Sequence, residues 1–258
     1  MSATPPTEAA NPGTATLAQQ LAASSDPATA AQCYRSAITA LVQWQLQNGA
    51  TQPPPQEARD LATGMESFVT DYIVGQRGLG IDAAQRKILD AAFAAIAAEY
   101  LALPQIAIHG HFTLDDLLVD AQSSAAIPTS FSLLAPIGQP AAAKIGPVGY
   151  DIVSLVRDPL RPWDEDFSLD ITIRYWDMAR KAGLPVGADF GEFYRGMEWT
   201  ALLRHLSEPA PRTTPHLHAW VSFLHSACAR YRELRPLSRL IEQVQGIEAT
   251  SGYAFGRV

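Results

Sequence analysis

Apolar residues recur at three- and four-residue intervals over most of this chain, the period of helices with one buried stripe. Asp26-Pro27 reads as an N-cap followed by proline at the first helical position, and the helix it opens carries Tyr34, Ile38, Leu41, Val42 and Gln45 on neighbouring turns. Pro53-Pro54-Pro55 makes a stiff break after it. A second helix is expected from about Gln56, with Leu61, Met65, Phe68, Val69 and Tyr72 on its stripe, fading between Gly75 and Gly80. Asp82 caps a third, whose stripe is Leu89, Ala92, Phe93, Ile96 and Tyr100 and whose end is marked by Pro104. Further helical patterns cover residues 151–157, 166–181, 189–206, 215–234 and 236–244. The period shifts only at 106–120, IAIHGHFTLDDLLVD, where two short apolar runs flank a polar turn. That is strand, loop, strand, and it predicts a small hairpin-like element from Ile106–Ile108 and Leu117–Val119. Residues 121–144, rich in Ala, Ser and Pro, are expected to be the least structured interior stretch, and no internal repeat is visible.

Composition narrows the class. At 258 residues with 47% hydrophobic and 17% charged, the chain is ordinary globular material with enough apolar content for one good core or two small ones. A net charge of −7 argues against a polyanionic partner, so no nucleic acid is expected. No run of about 18 uncharged apolar residues occurs, so no membrane span is expected. The start, MSATPPTEAANPGTAT, has neither a basic n-region nor an apolar core and reads as a disordered lead rather than a secretory signal. Cys33 and Cys228 sit within helical patterns and read as buried free thiols, which fits a cytoplasmic protein. The organisation expected is a lead over 1–15, one helical unit over 16–245 and a tail over 246–258.

The loop carries the chemistry. His109-Gly110-His111 is followed by Asp115-Asp116 and then Leu117. This frame resembles the H-[GR]-D-x-x-x-x-N loop of the aminoglycoside phosphotransferase family, whose fold is protein-kinase-like. In that pattern the Asp takes the proton of a substrate hydroxyl and the Asn holds Mg²⁺. His109 and Gly110 keep the frame, but His111 stands at the base position and Asp116 at the metal position. The resemblance continues in the stretch 145–158, IGPVGYDIVSLVRD, which is similar to the GPxxYDLxSLLRD segment of bacterial amino-sugar kinases that act on N-acetylmuramate and N-acetylglucosamine. Phe68 to Tyr72, Tyr175-Trp176, Gly183-Leu184-Pro185, Phe193-Tyr194-Arg195 and Arg204-His205-Leu206 follow the same order, over about residues 16–240.

The resemblance implies a mainly α fold with a small β element, the C-terminal lobe of a kinase-like protein. It also exposes departures. Family members carry an N-terminal lobe with a glycine-rich turn and a strand lysine; nothing before Leu17 matches it, and no lysine precedes Lys87. Counting back from Pro147, the second metal Asp of the pattern falls on Gln139, where the local pattern is not kept, so that Asp is replaced by Gln139 or displaced. The expectation is therefore a degenerate member lacking that lobe, a pseudokinase serving as a binding or regulatory module, with no cofactor. A protein partner is expected on the face such a lobe would cover. The alternative is a residual phosphotransferase with His111 as base, Asp116 on Mg²⁺ and ATP as donor.

Other chemistries find little support. His109 and His111 form an HxH pair, but an HxHxDH metallohydrolase needs Asp at position 113, which is Thr113. His216 and His218 form a second HxH beside Pro215 that reads as a solvated turn, and the tryptophans read as core. Ser132 and Ser154 lack a GxSxG elbow. By the resemblance, His109 is a bracing residue whose ring is expected to bond Asp151, a structural remnant of the loop.

Overall fold

A computed structural model describes residues 16–23, 27–48, 57–110, 112–115, 117–119, 131–133, 144–157 and 164–246. Within them the chain is mainly helical. In order come α1 (Leu17–Ala23), α2 (Pro27–Asn48), α3 (Ala58–Gly64), a π-helix (Phe68–Gln76), α4 (Ala83–Ala102), β1 (Gln105–Ile108), β2 (Leu117–Val119), β3 (Phe131–Leu133) and β4 (Lys144–Pro147). Then follow α5 (Tyr150–Val156), α6 (Glu165–Lys181), α7 (Phe190–Ser207), α8 (Thr214–Arg230), a 3-10 turn (Arg232–Leu234) and α9 (Arg235–Gln245). No helix among the described residues is long and apolar enough to cross a membrane.

The local signals act as their chemistry requires. Asp82 accepts from the Gln85 amide while the Gln85 side chain returns to the Asp82 amide, a reciprocal cap. Asp164 and Asp189 cap α6 and α7 through the amides three residues on. Gly246, at φ 70°, closes α9 in the left-handed conformation that a side chain would resist. The expected second helix is instead two elements. After Gly64 the chain continues into wider π turns, seen where the Arg77 amide reaches the Tyr72 carbonyl at 3.0 Å, and the apolar stripe survives the change of period. Helix α1 has no counterpart in the apolar pattern; it is only two turns long, and its Ala18 amide bonds the Leu114 carbonyl of the loop at 3.1 Å.

Two apolar cores share one helix. Leu61, Met65, Phe68, Tyr72, Phe93 and Trp220 centre the first, and Tyr34, Leu41, Phe112, Ile152, Ile171 and Tyr175 the second. α7 lies between them, giving Trp199, Leu202 and Leu206 to one and Phe193, Met197 and Ala201 to the other. A helix buried on both sides loses the one-sided stripe, and 11 of its residues are buried.

The strands exist where the pattern placed them, but their pairing differs from the expected hairpin. β1 pairs antiparallel with β4, Ile106 opposite Gly146 and Ile108 opposite Lys144. β2 pairs antiparallel with β3, Leu117 opposite Leu133. Thus β3 and the first residue of β4 fall inside the stretch expected to lack structure. The close approach of β4 to β1 is tightest at Gly146: a Cβ there would come 2.5 Å from Ile108 Cδ1 and 3.1 Å from Tyr100 Oη, so a side chain at this point would have to displace the end of Ile108. Gly146→Ala is expected to lower stability by about 2 kcal/mol through overpacking, read from urea unfolding. Trimming the neighbour in Gly146→Ala/Ile108→Val should recover part of the loss. A single variant as stable as the parent would show that Ile108 yields without cost.

Candidate functional site

β1 delivers the chain into His109 and Gly110, where Gly110 takes φ +79° and reverses its direction. α5 begins just beyond the paired strand β4 and brings Asp151, fully buried, beneath that reversal. Its Oδ2 accepts the His109 amide at 3.0 Å and its Oδ1 the Gly110 amide at 2.9 Å. Two successive N–H groups converging on one carboxylate form a small anion cradle, filled here by the protein itself. Burial pushes the Asp151 carboxyl above its ordinary range; the two amide bonds and the nearby His109 and Arg204 side chains oppose that push.

His109 and Asp151 therefore meet, but through the main chain. The expected ring contact is not made: the His109 imidazole packs edge-on to Trp44 at 5.5 Å and to Phe112 at 5.9 Å. Its Nδ1 is buried without a hydrogen-bond partner. The left-handed turn at Gly110 aims the amides at the acid and leaves the ring facing the aromatic side chains of α2 and the loop.

The rest of the loop is held by its apolar residues. Phe112, Leu114 and Leu117 are buried in the second core, while Asp115 is exposed. His111, Asp116 and Gln139 lie outside the described residues. Among the described residues no three His, Cys, Asp or Glu side chains converge to hold a metal. Asp151, the acid next to the loop, commits both oxygens to amides and is closed off from solvent, so it does not fit as a ligand for Mg-ATP.

A second buried network fixes this frame. The Tyr175 hydroxyl meets the Val148 carbonyl at 2.8 Å and Gln45 Oε1 at 2.9 Å, tying α2 and α6 to the turn that leads from β4 into α5. The sequence placed Gln45 on a helical stripe and Tyr175 in a motif; a polar residue repeatedly in register with apolar ones was the available signal. His205 is buried as satisfied core, its Nδ1 2.8 Å from the Ala201 carbonyl. His216 sits in the first turn of α8 against Thr213 at 2.8 Å.

Fold and loop together define a mainly helical domain in which a buried acid holds a His-Gly turn after a short strand. Similarity searching relates the chain to amino-sugar kinases. It is 29% identical over 231 residues to the N-acetylmuramate/N-acetylglucosamine kinase of Neisseria meningitidis serogroup B, covering 85% of this chain and 66% of that protein. It is 23% identical to the enzymes of the same name from Pseudomonas putida and Pseudomonas aeruginosa, over 82% and 86% of this chain. The chain spans 62–66% of the length of these relatives. No family model matches it.

Proposed function

We propose that the chain is a catalytically impaired relative of amino-sugar kinases, with a kinase-like helical lobe, that works in the cytoplasm as a protein-binding or regulatory module. The observation that carries this reading is a mismatch within one loop. Its frame is kept by the bonds from His109 and Gly110 to Asp151, yet the position of the base Asp holds His111 and that of the metal Asn holds Asp116. Phosphoryl transfer asks a protein for positioning and charge neutralisation, with Mg²⁺ bridging the phosphates. Gln139 at the second metal position leaves one carboxylate in register, and an imidazole stands where the family has the carboxylate that orients a hydroxyl. A frame retained without its reacting groups suits recognition better than transfer.

The names of the relatives favour a second reading, a residual phosphotransferase acting with ATP on a hydroxyl of an amino sugar or aminoglycoside-like substrate. Calorimetric titration with ATP-Mg²⁺, joined to a coupled assay of ADP release with N-acetylmuramate, N-acetylglucosamine and aminoglycosides, separates the two. The expected result is no saturable nucleotide binding and no sugar-dependent turnover. Turnover that disappears in His111→Ala would replace the module reading with the enzyme.

A further inference from the structure

Away from the loop, the other end of the β1–β4 pair opens into a cavity of about 200 Å³ between that end, the loop after α6 and the start of α7. Its walls are apolar: Leu103, Pro104, Pro147, Val148, Phe193 and Met197. Among the described residues the charged side chains that line it are Asp189 and Glu192, with no Lys, Arg or His. Both acids are exposed in the residues that open α7. Asp189 uses Oδ1 to cap the helix at the Glu192 amide, 2.9 Å away, and among the described residues neither carboxylate forms an ion pair. The nearby cation on α7, Arg195, is turned away, reaching toward Glu99 at 3.9 Å with its guanidinium over the Tyr231 ring. A helix N-terminus supplies roughly half a positive charge, so the two acids leave the opening with a clear negative excess.

We propose that this cavity is a binding site for a small aryl ammonium, a single aromatic ring with a short aminoalkyl arm. An apolar cavity of about 150 Å³ holds a benzene ring, so this one has room for the ring and the first carbons of the arm, with the ammonium at Asp189 and Glu192. A sugar does not suit the walls. The Thr200 hydroxyl already donates to the Gly196 carbonyl at 2.9 Å, and the Val148 carbonyl already accepts from Tyr175 at 2.8 Å. Beyond the two acids, the apolar walls therefore offer the ring hydroxyls of a sugar few partners. An anion would meet two like charges. The site is separate from the His109-Gly110 turn, which lies beyond the opposite end of the four-residue strand β1, on the order of 10 Å away. It is joined to that turn through one short segment, because Gly149 lines the cavity and Asp151 holds the turn.

The test is ligand-observed NMR and calorimetric titration of the full chain with 2-phenylethylamine, beside 3-phenylpropionate and benzyl alcohol. Saturable binding of the amine, with at least tenfold weaker binding of the acid and the alcohol, is expected. Asp189→Asn keeps the helix cap while removing its charge. Combined with Glu192→Gln it should weaken the amine roughly five- to tenfold. Val186→Trp, which fills the cavity from the loop after α6, should abolish binding; thermal unfolding of each variant confirms that it remains folded. No amine binding at millimolar concentration, equal binding of all three probes, or binding that survives in folded Val186→Trp would each overturn the proposal.

Discussion

Replacing Asp151 by alanine is expected to lower stability by about 3 kcal/mol, because two buried amides lose their acceptor together. The His109 and Gly110 N–H groups sit 3.0 and 2.9 Å from its oxygens, and the carboxylate is fully buried, so both donors lose their acceptor in a site shut off from solvent. Loss of the buried charge offsets part of that cost, which keeps the figure below a simple sum. Asp151→Asn retains one acceptor oxygen but points an NH₂ at the second amide, so it should fall between parent and alanine. Urea unfolding of the three proteins gives the order. Hydrogen exchange adds locality: the amides of His109 and Gly110 should lose protection before the helices of the first core do. An Asp151→Ala protein with parental stability and unchanged exchange at those two amides would show that the clamp contributes little.

Acid is expected to destabilise the protein through His205. Burial lowers its pKa from 6.5 to about 4, with the Arg204 charge adding to the shift while Glu208 and the Ala201 and Arg157 backbone oppose it. The Nδ1 contact with the Ala201 carbonyl fits a neutral ring that donates from that nitrogen. A base with a depressed folded-state value stabilises the fold fully above its unfolded value. That contribution is lost as pH falls through 6.5 toward about 4, since the unfolded chain takes up the proton first. At about 1.4 kcal/mol per tenfold, the span is worth about 3 kcal/mol. His205→Asn keeps a donor near the Ala201 carbonyl and cannot titrate. It should start less stable at pH 7, yet lose less between pH 7 and pH 4 than the parent. Carboxylates elsewhere act on both proteins equally, so the difference between the two curves isolates the histidine. Parallel curves would remove His205 as the sensor.

The helices were legible because their information is local. A stripe at helical spacing, an Asp before it and a proline or glycine after it depend only on neighbouring residues, and α2, α4, α6, α7, α8 and α9 lie where those signals put them. Two departures have local causes that the pattern hides. A stripe such as Phe68, Val69 and Tyr72 fits α and π turns alike, and α1 is too short for its apolar residues to display a period. The candidate loop was legible as a frame, since its His-Gly pair and the YD segment are strings of letters.

How that frame is used was settled in three dimensions. Nothing in the letters says which of two short strands pairs with which, because a hydrogen-bonded ladder joins residues distant in sequence; at Gly146 the absence of one Cβ eases the close approach of β4 to β1. Nor do they say that Asp151 takes the two main-chain amides and not the His109 ring, because that depends on the Gly110 turn and on Trp44 arriving from α2. The cavity at the far end of β1 is likewise built from three separated segments. The sequence by itself determined most of the helices and their caps, properties of adjacent residues. Only the tertiary structure decided strand pairing, the partners of the buried acid and where empty space remains, because each is a relation between surfaces that meet after the chain has packed.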